Sequence, residues 1–164
     1  DCVDRGIPFD DILNIVTKNK TNPVRNLIFP LDKLPMPDRD LIFSQTFHKK
    51  SSKKAFFSSR GCPYSCSYCC NNIYHRLYKG KGRFVRKFSV DRLINEINDV
   101  SSKYRMDFVK FTDDCFVMKD DSWLREFSWR YKHEVDVPFN CYLRIDTITD
   151  SMLRLLKKAG CHSL

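Results

Sequence analysis

Apolar and polar positions fall into two regimes along the chain. Residues 1–54 show no sustained period. Short apolar knots at Leu27 to Leu31 and Leu41 to Phe43 stand between polar stretches, and five of the seven prolines lie at positions 8, 23, 30, 35 and 37. Each proline lacks a backbone donor and biases its predecessor toward extended geometry. This part reads as an extended interdomain connector pinned to a neighbouring surface by its apolar knots. Asp10 to Val16 is expected to form one or two helical turns.

From residue 55 the pattern becomes regular. Ala55 to Ser59 reads as a strand, followed by a cysteine-rich loop. Ser89 then heads a helix whose apolar residues Val90, Leu93, Ile94, Ile97 and Val100 keep helical spacing. Asp107 to Thr112 is the next strand. Asp120, Asp121 and Ser122 stand where caps belong, ahead of a helix with Trp123, Leu124, Phe127 and Tyr131 on one side. Pro138 to Leu143 is a third strand. Thr149 caps a further helix carrying Met152, Leu156 and Ala159, with Asp150 at its start, Lys157 and Lys158 in its last turn and Gly160 as its stop. Cys161 opens a fourth strand.

Strands alternating with helices predict an α/β fold of βαβ units, a parallel sheet and right-handed crossovers. An open doubly wound sheet and a (βα) barrel both fit this order. A closed barrel needs eight units and upward of about 200 residues. The 164 residues supply about half of that. Residues 55–164 are therefore expected to be a partial barrel, about its first half, and the chain a piece of something longer.

Composition narrows the classes. With 42% hydrophobic and 30% charged residues the chain is neither disordered nor collagen-like. No apolar run approaches the ~20 residues that span a bilayer, and Asp1 to Gly6 lacks the features of a signal peptide. Eight cysteines, four of them crowded between Cys62 and Cys70, suit metal binding rather than a disulfide framework. A reducing cytoplasmic location is expected. The net charge of +9 favours anionic partners. Basic residues gather at Lys49 to Lys54 and at Arg76 to Lys87, the second run interleaved with aromatics. A solvated face is the plainer reading, and no nucleic-acid-binding motif accompanies them, so no nucleic-acid partner is expected. Trp123 and Trp129 read as helix packing.

The chemistry concentrates in Ser59-Arg60-Gly61-Cys62-Pro63-Tyr64-Ser65-Cys66-Ser67-Tyr68-Cys69-Cys70, a C-x-x-x-C-x-x-C spacing just after a strand. Thiolates are soft ligands for zinc or iron–sulfur clusters. A structural zinc site closes at four ligands, commonly by pairing C-x-x-C with a second pair. Cys115, Cys141 and Cys161 are isolated and offer no second pair. Three thiolates on one loop suit three corners of a cubane, which leaves one iron open to a substrate or cofactor. Cys70 reads as a bystander. In parallel α/β folds, ligand sites gather at the carboxyl ends of strands. The cysteine loop, Asp113 and Asp114 after the second strand and Arg144 after the third should therefore converge on one face. Helix capping for the aspartates and a surface ion pair for Arg144 are the plainer alternatives.

This spacing, with Tyr68 as the aromatic before the third cysteine, resembles the radical S-adenosylmethionine (SAM) superfamily. Pro35 to Leu41, Arg60 to Tyr64, Phe111 to Phe116 and Leu156 to Cys161 resemble the branch that often carries an N-terminal cobalamin-binding domain. The resemblance implies that Cys62, Cys66 and Cys69 ligate a 4Fe–4S cluster. SAM would chelate its open iron and be cleaved reductively to a 5′-deoxyadenosyl radical. It further implies Tyr68 as a wall against adenine, Asp113 or Asp114 toward the SAM ammonium and Arg144 toward a carboxylate or ribose oxygen. The family's glycine-rich stretch after the second strand is replaced here by Asp113-Asp114. An external electron donor such as flavodoxin or ferredoxin and a small-molecule or peptide substrate would be the partners, with no membrane. The branch's D-x-H-x-x-G cobalamin motif does not occur in these residues, so any cobalamin would be held by a domain outside this chain. Two rivals remain: a tRNA methylthiotransferase-like enzyme, and a non-catalytic zinc or iron–sulfur module that binds nucleic acid.

Overall fold

The computed structural model describes residues 4–8, 10–44 and 47–164. Their helices are α1 (Arg39–Phe43), α2 (Asn71–Leu77), α3 (Val90–Lys103), α4 (Ser122–Glu134) and α5 (Asp150–Ala159). The strands are β1 (Lys53–Phe56), β2 (Ser59–Arg60), β3 (Arg86–Lys87), β4 (Phe108–Phe111), β5 (Phe139–Asn140) and β6 (Cys161–Ser163). The main sheet runs β1-β4-β5-β6 with every pair parallel, and β2 and β3 form a separate antiparallel pair. The order advances in one direction without reversal. That is how a (βα) barrel winds, whereas a doubly wound sheet turns back on itself.

Register explains why one face is dry. Lys54 pairs with Val109, Phe56 with Phe111 and Val109 with Phe139, so all five side chains share a face and all are buried. α4 lies between α3 and α5 against that face. Val90, Leu93, Ile94, Ile97 and Val100 of α3, Leu124, Phe127 and Tyr131 of α4 and Met152, Leu156 and Ala159 of α5 complete the core. Each fully buried side chain of this size contributes about 1.5–3 kcal/mol. Phe111 meets Phe116, Phe127 and Phe139 at centroid distances of 4.6, 5.7 and 5.4 Å. On the opposite, helix-free face Lys53, Ala55 and Lys110 are exposed.

The caps follow the sequence. Ser89, Asp121 and Thr149 accept from the backbone N–H of Arg92, Leu124 and Met152, satisfying first-turn donors. Gly160 ends α5 at φ +100°, a left-handed position that glycine adopts without a Cβ penalty.

Four local features depart from the sequence pattern. The first strand ends at Phe56, and Ser59 turns away to pair with Lys87, because Asp113 at the end of β4 captures Ser58 and Ser59. The third strand pairs only over Phe139–Asn140, since Tyr142 O accepts from Phe116 N instead (2.9 Å). Asp10 to Val16 forms turns and no helix. There the Asn22 amide donates to Asp10 O and Ile15 O, Asn14 sits at φ +69°, and Val16 bridges Thr21. Trp129 is 63% exposed and stacks on His133 rather than entering the core.

The segment around α1 lies along α3. Asp32 Oδ1 accepts from Ser89 N (3.0 Å), and Arg92 donates to Leu34 O (3.1 Å). Arg39 pairs with Glu96, donates to Ala55 O and stands 4.9 Å over the Phe56 ring. Leu31 and Phe43 are buried.

Candidate metal centre

The cysteine loop begins at Gly61, whose φ is +82°. A Cβ there would fall 2.6 Å from Phe84 O and 3.1 Å from its ring. Only glycine fits both the left-handed backbone and the close approach of Phe84. The loop then closes on itself. Cys69 N donates to Cys66 O (2.9 Å), Asn72 Nδ2 to Cys66 O (2.6 Å), and His75 Nε2 lies 2.7 Å from Cys62 O. α2, unmarked in the sequence pattern, thus acts as a brace that fixes the loop carbonyls.

Cys62, Cys66 and Cys69 all line one cavity of about 480 Å³ at the carboxyl end of the sheet. Tyr64, Tyr68, Asn71, Asp114, Cys115 and Arg144 share its walls. Two of the three sulfurs accept a side-chain N–H, Cys66 from Arg144 Nη1 (3.6 Å) and Cys69 from Asn71 Nδ2 (3.4 Å). Donors aimed at sulfur favour the thiolate, the form that binds metal. Cys115 donates to Val117 O and Cys161 to Ser163 O. Burial pushes the Cys62 thiol above its ordinary pKa. The Tyr64 N–H opposes that rise, while Asp114 and the neighbouring thiols add to it.

The donor set fits a cluster: three thiol side chains line one cavity, and a cubane would present a separate iron to each. Among the described residues, no group of three or more His, Cys, Asp or Glu side chains is gathered closely enough to hold one metal ion.

The predicted site residues are brought together with one exception. Tyr68 stands at the mouth, 92% exposed. Asp114 and Arg144 face the cavity. Asp113 does not line it. That side chain is 2% exposed, and its oxygens accept from Ser58 N and Ser58 Oγ at 3.0 Å and from Ser59 Oγ. Burial raises its pKa, against those hydrogen bonds and Lys87. Asp113 ties the end of β4 to the strand that feeds the loop. Cys70 is exposed just ahead of α2 and lines a broader depression that Tyr68 and Cys69 also border.

Arg144 is held from three sides. Its Nε and Nη2 fork onto Asp146 Oδ1 and Oδ2 at 2.6 and 2.7 Å, and its guanidinium lies 4.2 Å over the Tyr64 ring. The fork raises its pKa further. The sequence reading missed Tyr64, Asn71 and Cys115. Tyr64 and Asn71 sit within or beside the cysteine run, so proximity in sequence was their available signal; Cys115 was passed over as isolated.

The basic runs are not wholly solvated. Lys54 is 1% exposed, donates to His48 O (2.7 Å) and lies 4.4 Å over Phe43. Arg86 reaches Ile28 O (3.0 Å). The half-buried Lys87 donates to Phe116 O (2.9 Å). No helix is long and apolar enough to cross a membrane among the described residues.

No family model matches the chain. It is 27% identical over 172 aligned positions to the uncharacterized methyltransferase PH0819 of Pyrococcus horikoshii, covering all of this chain and 36% of that protein. It thus spans about a third of that relative's length. Two solved structures of the cobalamin-dependent SAM radical enzyme OxsB are similar. The form with aqua-cobalamin and SAM bound has a TM-score of 0.71 at 16% identity, over 97% of this chain and 24% of that one. The apo form has a TM-score of 0.62 at 17% identity, over 95% and 23%. These likenesses identify the chain's architecture as a mixed α/β fold with a parallel sheet, similar over nearly its whole length to that of a radical SAM enzyme.

Proposed function

We propose that this chain is the cluster-binding part of a radical SAM enzyme. The carrying observation is that Cys62, Cys66 and Cys69 face one cavity with Tyr68, Asp114 and Arg144, and that Cys66 and Cys69 each accept a side-chain N–H there. The three thiolates would hold three irons of a 4Fe–4S cluster, which when bound supplies the electron that cleaves SAM to methionine and a 5′-deoxyadenosyl radical. Asp114 would accept from the SAM ammonium and Tyr68 would cover adenine, both from the walls of this cavity. Asp113 orders the loop from beneath. The methyltransferase name of the relative favours methyl transfer over rearrangement. The OxsB likeness favours cobalamin held by residues outside this chain. An external one-electron donor of the flavodoxin or ferredoxin class and a cytoplasmic setting complete the reading. Inward-turned Arg86 and Lys87 weaken the tRNA alternative.

Anaerobic reconstitution with iron and sulfide tests it. About four irons and four sulfides per chain are expected, with an electron paramagnetic resonance signal that shifts when SAM is added. Cys62→Ala, Cys66→Ala and Cys69→Ala should each lose the cluster while Cys70→Ala keeps it. Equal loading in all four variants removes the ligand assignment. One bound zinc with no SAM binding moves the reading to a structural metal module.

A further inference from the structure

Three constraints converge on the Arg144 guanidinium. The Asp146 carboxylate occupies its Nε and one Nη2 proton, the Tyr64 ring supports its face, and Nη1 points at the Cys66 sulfur from 3.6 Å. A fork held this way is a fixed donor, because the planar guanidinium loses little further freedom when its last N–H is engaged. Its direction is therefore set before any ligand enters the cavity. The SAM-facing role assigned to this arginine from sequence leaves the sulfur contact unexplained.

A donor on a ligand sulfur has an electrostatic consequence. Reducing a cluster adds one negative charge, part of which falls on the thiolates. An N–H and a cation beside one thiolate stabilise the reduced form more than the oxidised form, and so raise the reduction potential. Asp146 cancels much of the net charge, so the effect is that of an oriented hydrogen bond backed by a local dipole. The Asn71 donor on Cys69 acts in the same sense, but as a neutral amide. Charge-assisted hydrogen bonds are roughly twice as strong as neutral ones, so Arg144 is the dominant lever.

We propose that Arg144 is a positioning residue that sets the reduction potential of the cluster through Cys66. This rests on the cluster reading above. The test is a redox titration of the reconstituted protein without SAM, followed by electron paramagnetic resonance, in wild type, Arg144→Gln and Arg144→Lys. Arg144→Gln should load iron and sulfide as wild type does. At a fixed solution potential its reduced-to-oxidised ratio should fall about tenfold, equivalent to about 59 mV for one electron. Arg144→Lys, which keeps the charge but loses the fork on Asp146, should fall between the two. An Arg144→Gln cluster that titrates with wild type overturns the proposal. If Arg144→Gln loads poorly, Arg144→Lys decides alone: an intermediate potential supports the proposal and the wild-type potential overturns it. Absence of any cluster in wild type is instead a failure of the functional reading.

Discussion

The Lys87 ammonium lies 3.7 Å from the Trp123 ring centre and 2.9 Å from Phe116 O. Burial lowers its pKa to about 8, partly offset by Asp121 and Asp113. A lysine with a depressed folded pKa binds fewer protons folded than unfolded between that value and its unfolded one, near 10.4. Stability therefore rises with pH across about 8 to 10.4, and the penalty is complete below 8. The Trp123 face favours the cation and trims the effect, leaving about 1–2 kcal/mol by the equivalence of shift and free energy. Urea unfolding of wild type and Lys87→Met at pH 7.5 and 10 should show wild type gaining that amount relative to the variant. A constant difference between them removes the penalty. Neither this lysine nor Lys54 was legible as buried, because each stands in a run of charges whose plain reading is a wet surface. The cysteines were legible, since ligand spacing is local in sequence. Asp113 shows the limit of placement arguments: topology correctly puts it at the ligand end of β4, but only the structure shows its oxygens already taken by two serines.

Among the elements, α1 is tied to α3 by a largely buried ion pair. Arg39 and Glu96 have 16% and 7% of their side-chain surface exposed, and the pair joins the start of α1 to the middle of α3. Removing one partner of a buried pair strands the other and costs about 3–5 kcal/mol. Glu96→Ala and Arg39→Ala should each lower unfolding stability by roughly that amount. The double variant should cost less than the sum of the two. Strict additivity in such a cycle would show the pair to be uncoupled. The helices α3, α4 and α5 were legible because their caps are written in Ser89, Asp121, Thr149 and Gly160. α2 was not. It has seven residues and follows Cys70, which makes no side-chain cap bond, and short braces of this kind leave no periodic trace. The β2–β3 pair covers only two residues on each side, too few to alternate.

At the scale of the molecule, β4 is the strand flanked on both sides by the earliest and next strands, with Phe111 at the centre of the aromatic core. Amides with buried neighbours on both sides open only with the whole fold, and edge amides open locally. Hydrogen exchange of the 164-residue chain should be slowest in β4 and clearly faster in β6; equal protection would deny the hierarchy. The parallel α/β class followed from alternation alone. The choice between a doubly wound sheet and a winding that never reverses did not, because strand order depends on pairing partners that no single segment encodes.

That one-way order also has a meaning for synthesis. Each new strand of the main sheet lays itself beside the strand of that sheet made before it, so among the described residues no late strand has to insert between two early ones. The roughly 50 residues from Phe111 to Cys161 take about 3–10 s to make at 5–20 residues per second. Over those seconds the growing sheet always has one open flank. The lysines at 53 and 110 on its helix-free face keep the half-made sheet in water and discourage it from joining the sheet of a neighbouring nascent chain.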